Sequence, residues 1–168
     1  MKTIHWEKQE IHWHYLENPC QKVEYVKWCD SYCLGIKVID DQHKQLLDFV
    51  NELSNHPAKD EIEDSLFFRK IITQVVDYIK THFASEEGIM LATGYPGYAD
   101  HVVHHKNFIL NVIKSVKEYE AGKRLVLSKF SHYMRSWVLS HIAIVDAKYI
   151  DYYRHIAIIS PDGSLLIP

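Results

Sequence analysis

Apolar residues recur every three or four positions along most of the chain, the spacing of one face of an α-helix. Residues 1–38 are rich in aromatic side chains and lack this period. After them, four periodic segments predict helices over about 40–56, 61–92, 98–119 and 126–152. Their apolar stripes are Leu46, Leu47, Val50 and Leu53; Phe68, Ile72, Val75 and Ile79; Phe108, Val112 and Val116; and Leu127, Phe130, Met134 and Trp137.

The ends of these segments carry residues that begin and end helices. Asp40 and Asp41 are suited to capping the first segment, whereas Gly94 follows the second and Gly122 follows the third. Four amphipathic helices joined by short connections favour an all-α protein, an up-down-up-down four-helix bundle.

Histidine occupies the apolar face of every predicted helix. A single histidine on such a face is commonly a core residue with its hydrogen bonds satisfied. Buried imidazoles on four helices, however, each need partners, and an unpaired buried carboxylate costs several kcal/mol. A shared metal centre would satisfy all of these groups together, and we infer one. Extending the stripes reaches His43; His82 and Glu86; His101 and His105; and His141.

Helical geometry selects between neighbouring candidates on the second and third helices. Residues four apart differ by only about 40° around a helix, so His82 and Glu86 project together, as do His101 and His105. Glu87 lies about 140° from His82 by the same geometry. It is therefore expected to face solvent.

The four-residue spacing does not decide the roles of His104 and Asp146. His104 is an alternative partner for His101, but that pairing would continue to the polar Asn111, so His104 is expected at the periphery. Asp146 follows His141 by five residues, a spacing that periodicity alone does not select. No other carboxylate lies in the same neighbourhood, which leaves Asp146 as a candidate.

The donor set indicates which metal would bind. Five histidines and two carboxylates exceed one tetrahedral zinc site and are too rich in nitrogen for calcium or magnesium. They suit two first-row ions bridged by carboxylates, with iron as the leading candidate. Neutral imidazoles leave more positive charge on such ions, which disfavours the high-valent states that oxidise substrates. Reversible ligand binding is therefore favoured over oxygenation.

Four motifs, DDQHKQL, HFASEE, HVVHHKNF and HIAIVD, occur in the order that closely resembles the hemerythrins, especially the bacterial ones. The resemblance covers about residues 28–150 and includes Asp146 as a ligand position. It implies a four-helix bundle with a non-haem di-iron centre, in which the two iron ions share a bridging oxo or hydroxo group. Dioxygen would be the bound ligand.

The resemblance also implies a role for each ligand and a pocket for dioxygen. His101, His105 and His141 would hold one iron, and His43 and His82 would hold the other, which keeps an open position. Glu86 and Asp146 would bridge the two ions. By family position, the apolar walls of the oxygen pocket would be Leu46, Phe83, Trp137, Val138, Ile142 and Val145.

The two ends of the chain extend beyond this resemblance. We predict a bundle domain over 28–152, with an N-terminal extension over 1–27 and a C-terminal tail over 153–168. The tail contains Pro-Asp-Gly between two apolar runs, and a small hairpin, a disordered tail and a tail docked on a partner remain alternatives. A second metal patch is an alternative at the N-terminus, where packing against the bundle is expected; it would use His5, His12 and His14 with Trp6 and Trp13.

Charge and composition exclude several classes of function and indicate no second site. A net charge of −3 gives no indication of binding to nucleic acid or an anionic membrane. The N-terminus has no apolar segment typical of a secretory signal, and no run approaches the ~20 residues of a membrane span. We therefore expect a cytoplasmic protein in which the cysteines are reduced thiols. They are Cys20, Cys29 and Cys33.

The expected function is reversible dioxygen binding without catalysis, as an oxygen carrier, store or source for an oxygen-using enzyme. One alternative is a sensor or signalling module that responds to oxygen, redox state or nitric oxide and acts on a signalling partner. Another is a di-iron peroxidase or nitric oxide reductase. The sequence does not decide the oligomeric state.

Overall fold

The computed structural model describes residues 25–56, 60–123 and 126–155, and these ranges contain helices and turns but no β-strand. A π-helical segment, His141–Asp146, joins the last two helices without a break. A short 3-10 helix, Asp30–Tyr32, precedes the first. The helices are α1 (Lys37–Ser54), α2 (Glu61–Thr93), α3 (Tyr98–Glu120), α4 (Val126–Ser140) and α5 (Ala147–His155).

The helices form the predicted up-down-up-down bundle. Each of α1 to α4 packs against the helix before or after it in the chain, and α1 also packs against α4, which closes the ring. Gly94 ends α2 in the left-handed conformation, with φ of 66°, which glycine adopts without steric cost. The predicted stripes form the core: most of their residues are buried, and Ile72, Leu127 and Trp137 pack partly buried against it.

Two apolar clusters fill the bundle on either side of the predicted ligands. On α1, for example, His43 lies between Ile39 of one cluster and Leu46 of the other. The larger cluster extends through the bundle from Leu46 towards Leu53. The smaller cluster, which we call the tyrosine end, consists of Leu34, Ile36, Ile39, Met90, Tyr149, Ile150 and Tyr153, with Ile89, Tyr95, Tyr98 and Tyr152 packed against it.

The start of α1 differs from the prediction. The helix begins at Lys37, three residues before Asp40, and no side chain caps its first turn. Asp40 is buried, and its carboxylate accepts hydrogen bonds from the backbone N–H groups of Leu34 (2.8 Å) and Gly35 (3.0 Å). The aspartate therefore holds the entry loop against the helix instead of capping it.

Asn51 fixes the chain that enters the bundle. Its side-chain oxygen accepts from the backbone N–H of Val26 at 2.7 Å, and its amide nitrogen donates to the carbonyl of Val26 at 2.8 Å. Val26 is 1% exposed and belongs to the larger core cluster. One buried side chain thus satisfies both backbone polar groups of Val26, a residue that lies outside the helices.

Replacing Asn51 with alanine should destabilise the protein, because both buried backbone groups of Val26 lose their partner. We expect a loss of about 2–6 kcal/mol in the free energy of unfolding, from about 1–3 kcal/mol for each unsatisfied group. Urea denaturation followed by circular dichroism measures it. The matched control is Asn107→Ala on the exposed face of α3, which should change stability little; equal losses in the two variants would contradict this role.

The cysteines differ from the expectation of reduced thiols. Cys29 is disulfide-bonded, whereas Cys33 is a free thiol. The thiol of Cys33 donates to Oδ2 of Asp40 at 3.4 Å. The expectation is therefore wrong for Cys29.

The predictions for the two termini lie mostly outside the described residues. Residues 1–24 of the predicted N-terminal extension (1–27), including its histidine and tryptophan patch, lie outside the described residues, as does the hairpin alternative in 156–168. Residues 25–27 of that extension are described, and Val26 is buried in the larger core cluster. Helix α5 itself continues to His155, slightly beyond the predicted end. Among the described residues, every helix is too short or too polar to cross a bilayer.

Candidate metal centre

The seven side chains predicted as metal ligands meet inside the bundle between the two apolar clusters. They come from α1, α2, α3 and the π-helical segment, so the complete bundle is needed to bring them together. Each is almost completely buried, with at most 3% of its surface exposed. The seven are His43, His82, Glu86, His101, His105, His141 and Asp146.

Glu86 is the centre of this group. Its Oε2 atom lies 3.4 Å from Nε2 of His82, 3.5 Å from Nε2 of His101 and 3.1 Å from Nε2 of His105. The two imidazole nitrogens of His101 and His105 are themselves 3.0 Å apart. The residues four apart on α2 and on α3 therefore project together, as helical spacing predicts, and face one carboxylate oxygen.

Asp146 directs one of its two carboxylate oxygens at each of two histidines. Its Oδ2 lies 3.3 Å from Nε2 of His43, and its Oδ1 lies 3.2 Å from Nε2 of His141. In an α-helix, residues five apart would differ by about 140°. The segment His141–Asp146 is instead π-helical, and its i→i+5 hydrogen bonds place His141 and Asp146 on one face.

These atoms form two groups that could each hold a cation and that share Glu86. One group joins Glu86 to three histidines, and the other joins it to two, so the two positions have unequal numbers of imidazoles. Asp146 approaches a histidine of each group with a different oxygen. The first group is Glu86, His101, His105 and His141; the second is His43, His82 and Glu86.

Several of these buried atoms have no hydrogen-bond partner within the described residues. A bound cation would supply the missing partner. A buried polar atom without a partner costs about 1–3 kcal/mol. All of these atoms are imidazole nitrogens or carboxylate oxygens, which are atoms that bind metal ions. The residues therefore fit a metal better than they fit one another. The atoms are Nδ1 and Nε2 of His43, Nε2 of His82, Oε2 of Glu86, Nε2 of His141, and both carboxylate oxygens of Asp146.

Burial sets the protonation of the group. It lowers the pKa of His82 to about 4 and also lowers the pKa of His43 and His141, so these imidazoles are neutral near pH 7. Burial alone would raise the pKa of Glu86, but the surrounding histidines, His82 first, hold it well below its usual value. Burial and then the charge of Glu86 raise the pKa of Asp146, so a nearby cation would favour its ionised form.

Two of the imidazoles are oriented by hydrogen bonds from their far nitrogens. Nδ1–H of His82 donates to Oε1 of Gln42 at 3.0 Å, and Nδ1–H of His105 donates to Oε1 of Glu87 at 2.9 Å. Such contacts fix the tautomer and aim Nε2 at the centre. The prediction that Glu87 faces solvent is therefore wrong, since its side chain is 29% exposed and reaches across to α3.

Tyr149 is a contact that the sequence analysis missed. Its hydroxyl donates to Oε1 of Glu86 at 2.9 Å, and the side chain is almost completely buried. The hydrogen bond satisfies the carboxylate oxygen that faces away from most of the histidines. Its sequence signal was weak: Tyr149 lies three residues after Asp146, so the two share a helix face.

The predicted pocket walls lie mostly in the larger apolar cluster. Leu46, Phe83, Val138 and Ile142 are buried there. The Phe83 ring stacks on His105 with centroids 3.6 Å apart. Of the other predicted walls, Trp137 is half-buried and stacks on His141 with ring centroids 4.2 Å apart, whereas Val145 is partly exposed. His104, which was predicted to be peripheral to the ligands, is exposed.

Removing the carboxylate of Glu87 should weaken metal binding without changing the fold. We expect Glu87→Ala to lower metal affinity by about 10–100-fold, because His105 loses the partner that orients it. Glu87→Gln should lose less, since its amide oxygen can accept the same bond, as that of Gln42 does. Competition with a calibrated chelator measures both. An equal loss in the exposed control Glu120→Ala would contradict the assignment.

Comparison with known proteins finds relatives over most of the chain. Residues 34–153 match the model of the hemerythrin HHE cation binding domain. The chain is 34% identical over 128 residues to a bacteriohemerythrin of Pseudomonas aeruginosa, covering 76% of this chain and 81% of the relative. It is 33% identical over 124 residues to a bacteriohemerythrin of Stenotrophomonas maltophilia, covering 74% and 78%.

A solved structure gives the same result for the fold. The crystal structure of a leucine-to-phenylalanine mutant superposes with a TM-score of 0.67 and 28% identity, covering 77% of this chain and 97% of the other. The helical bundle, the cluster of histidines and carboxylates and these relatives lead to one conclusion. The chain belongs to the hemerythrin family.

Proposed function

We propose that this chain holds two iron ions in the cluster around Glu86 and binds dioxygen there reversibly, without catalysing a reaction. The observation that carries the proposal is the pair of ligand groups that share Glu86. Imidazole and carboxylate donors in a helical bundle suit iron. Family membership supports iron over other first-row metals.

The proposed ligands follow from the two groups. Glu86 and Asp146 would bridge the ions, because each carboxylate directs its oxygens at histidines of both groups. Iron would supply reversible binding of dioxygen at the ion that has fewer protein ligands. The first ion would be held by His101, His105 and His141, and the second by His43 and His82.

The apolar walls would keep water away from the bound gas. Phe83 is 6% exposed and lies between the histidines of the two groups, with ring centroids 3.6 Å from His105 and 5.8 Å from His82. Leu46, Val138 and Ile142 close the same region of the core. An apolar surrounding disfavours separated charge and the entry of protons, which favours release of neutral dioxygen over its loss in reduced form.

Anaerobic reconstitution with ferrous iron followed by cycles of oxygen and argon tests the proposal. We expect a visible charge-transfer band that appears with oxygen and disappears under argon, with two iron ions in each chain. The matched control is His82→Ala, which should lose iron and the band. Rapid oxidation of the iron without an oxygenated form would contradict reversible binding and favour the sensor or enzyme alternatives.

A further inference from the structure

The tyrosine end of the bundle places a series of phenol rings next to the proposed metal centre. Tyr149 donates its hydroxyl hydrogen to Oε1 of Glu86 at 2.9 Å, and the aromatic ring of Tyr149 is 5.7 Å from that of His101. Its ring centroid is 5.4 Å from Tyr153 and 6.3 Å from Tyr95. Tyr149 therefore contacts both a proposed bridging ligand and further tyrosines.

The series continues to the protein surface. Tyr152 lies 5.4 Å from Tyr95 and 5.8 Å from Tyr153, so two routes lead to it from Tyr149. The Tyr152 hydroxyl donates to the carbonyl of Gly94 at 3.4 Å in an exposed position, and the rings of Tyr95 and Tyr152 are both partly exposed. We call Tyr149, Tyr153, Tyr95 and Tyr152 the tyrosine chain.

The position of Tyr95 depends on a glycine. A Cβ atom at Gly97 would lie 2.6 Å from the ring and hydroxyl of Tyr95, closer than real Cβ contacts allow. Any larger residue at this position would have to displace the ring from its place beside Tyr149, Tyr152 and Tyr153. The absence of a side chain at Gly97 therefore allows the ring to complete the series.

We propose that the tyrosine chain carries oxidising equivalents from the metal centre to the surface when the centre meets hydrogen peroxide. The inference rests on the iron site of the proposed function, and the reduction of peroxide is a side reaction, separate from the reversible binding of dioxygen. Phenols are among the most easily oxidised side chains, and electron transfer between rings weakens exponentially with distance. Closely spaced rings therefore offer a faster route than the surrounding aliphatic core, and oxidation of the ligand histidines would be reduced.

The hydrogen bond from Tyr149 to Glu86 provides an acceptor for the proton that Tyr149 loses on oxidation. When Tyr149 gives one electron to the oxidised centre, its hydroxyl proton can pass to Oε1 of Glu86. Tyr95 then gives an electron to Tyr149 and its own hydroxyl proton to water, because its ring is partly exposed, while the proton on Glu86 returns to Tyr149. The oxidised position thus moves from Tyr149 through Tyr95 to Tyr152, and each tyrosyl radical on this route is neutral.

The overall reaction balances with a thiol as reductant. One hydrogen peroxide takes two electrons and two protons from two tyrosines, giving two waters and two neutral tyrosyl radicals. At the surface, two thiols return two electrons and two protons to these tyrosines and become one disulfide. The tyrosine chain is regenerated, and the net change is reduction of the peroxide by the thiol.

Radical trapping on the iron-loaded full chain tests the inference. The preparation is first checked for two iron ions and for the reversible oxygen band, then treated with hydrogen peroxide and a nitroso spin trap, digested and examined by mass spectrometry. We expect adducts on Tyr95 and Tyr152 and fewer on Tyr25, although Tyr25 is 44% exposed. Labelling that simply follows exposure would overturn the inference.

A double variant separates the route from the fold. Tyr95→Phe combined with Tyr153→Phe keeps the packed rings but isolates Tyr152 from Tyr149, and neither residue contacts a proposed ligand directly. We expect the Tyr152 adduct to disappear and damage to the ligand histidines to rise. The control Tyr119→Phe, on a ring that packs on Phe68 away from the chain, should leave the labelling unchanged.

The outcomes distinguish this inference from the proposed function. Failure to bind iron or to show the oxygen band contradicts the proposed function and the inference together. Normal iron and a normal band, with Tyr152 labelling unchanged in the double variant, contradict the inference alone. Freeze-quenched electron paramagnetic resonance gives a second measurement, in which the tyrosyl signal should persist longer in the double variant than in the unmodified chain.

Discussion

Replacing Glu86 with glutamine is expected to remove most of the iron from the protein. The carboxylate belongs to both ligand groups, and its Oε2 atom lies within 3.5 Å of three imidazole nitrogens. A glutamine has nearly the same shape but no charge, and its N–H groups can donate to imidazole nitrogens that would otherwise bind metal. Both positions would be weakened at once. Iron analysis after identical anaerobic reconstitution measures the loss.

The neighbouring residue provides the matched control for this experiment. Glu87→Gln changes the same functional group one position along α2, where the carboxylate contacts only the far nitrogen of a ligand histidine. It should retain most of its iron at saturating metal. Equal iron loss in the two variants, or full iron content in Glu86→Gln, would contradict the placement of Glu86 at the centre.

Removing the metal is expected to lower the free energy of unfolding by several kcal/mol. The apolar clusters on both sides exclude water from seven donor-bearing side chains, and five of these carry buried atoms without hydrogen-bond partners in the described chain. Each such atom costs about 1–3 kcal/mol, part of which relaxation recovers. Metal binding recovers this cost and so adds to folding stability. Urea denaturation of iron-loaded and metal-free protein measures the difference.

A second variant checks that the effect is local to the centre. Asn51→Ala removes hydrogen bonds to Val26 and contacts none of the proposed ligands, so its destabilisation should add to that of metal removal. The metal-free and iron-loaded forms of this variant should therefore differ by the same amount as those of the unmodified chain. Identical urea midpoints with and without iron would show that the cluster does not depend on metal.

Much of the site follows from the helical period, and the parts that do not have identifiable causes. His82 with Glu86, and His101 with His105, are four residues apart on α-helices, so their convergence could be predicted without a structure. Asp146 could not be placed in this way, because the backbone between it and His141 leaves the α-helical period. It was a candidate because no other carboxylate lies nearby, and only the family resemblance identified it as a ligand position.

The contacts around the ligands were harder to predict because they depend on neighbouring helices. Glu87 lies on the outer side of α2 when that helix is considered alone, yet His105 on α3 is close enough to bond to it. In the same way, Asp40 has the composition of a helix cap but satisfies loop N–H groups that only the folded entry segment brings near. The hydrophobic period of a single helix does not indicate which side chains of neighbouring elements come close to it.

The π-helical segment has a consequence for local motion. Its two ends, His141 and Asp146, are both proposed to bind the same pair of ions, so opening this turn would require breaking bonds to the metal. The backbone of residues 141–146 would then open only as rarely as the metal leaves, whereas the same turn without metal would exchange its amide hydrogens more freely. Amide hydrogen exchange in this one turn would thus report metal occupancy. Because α5 follows the turn without a break, the restriction of its backbone by metal would extend directly to the start of α5.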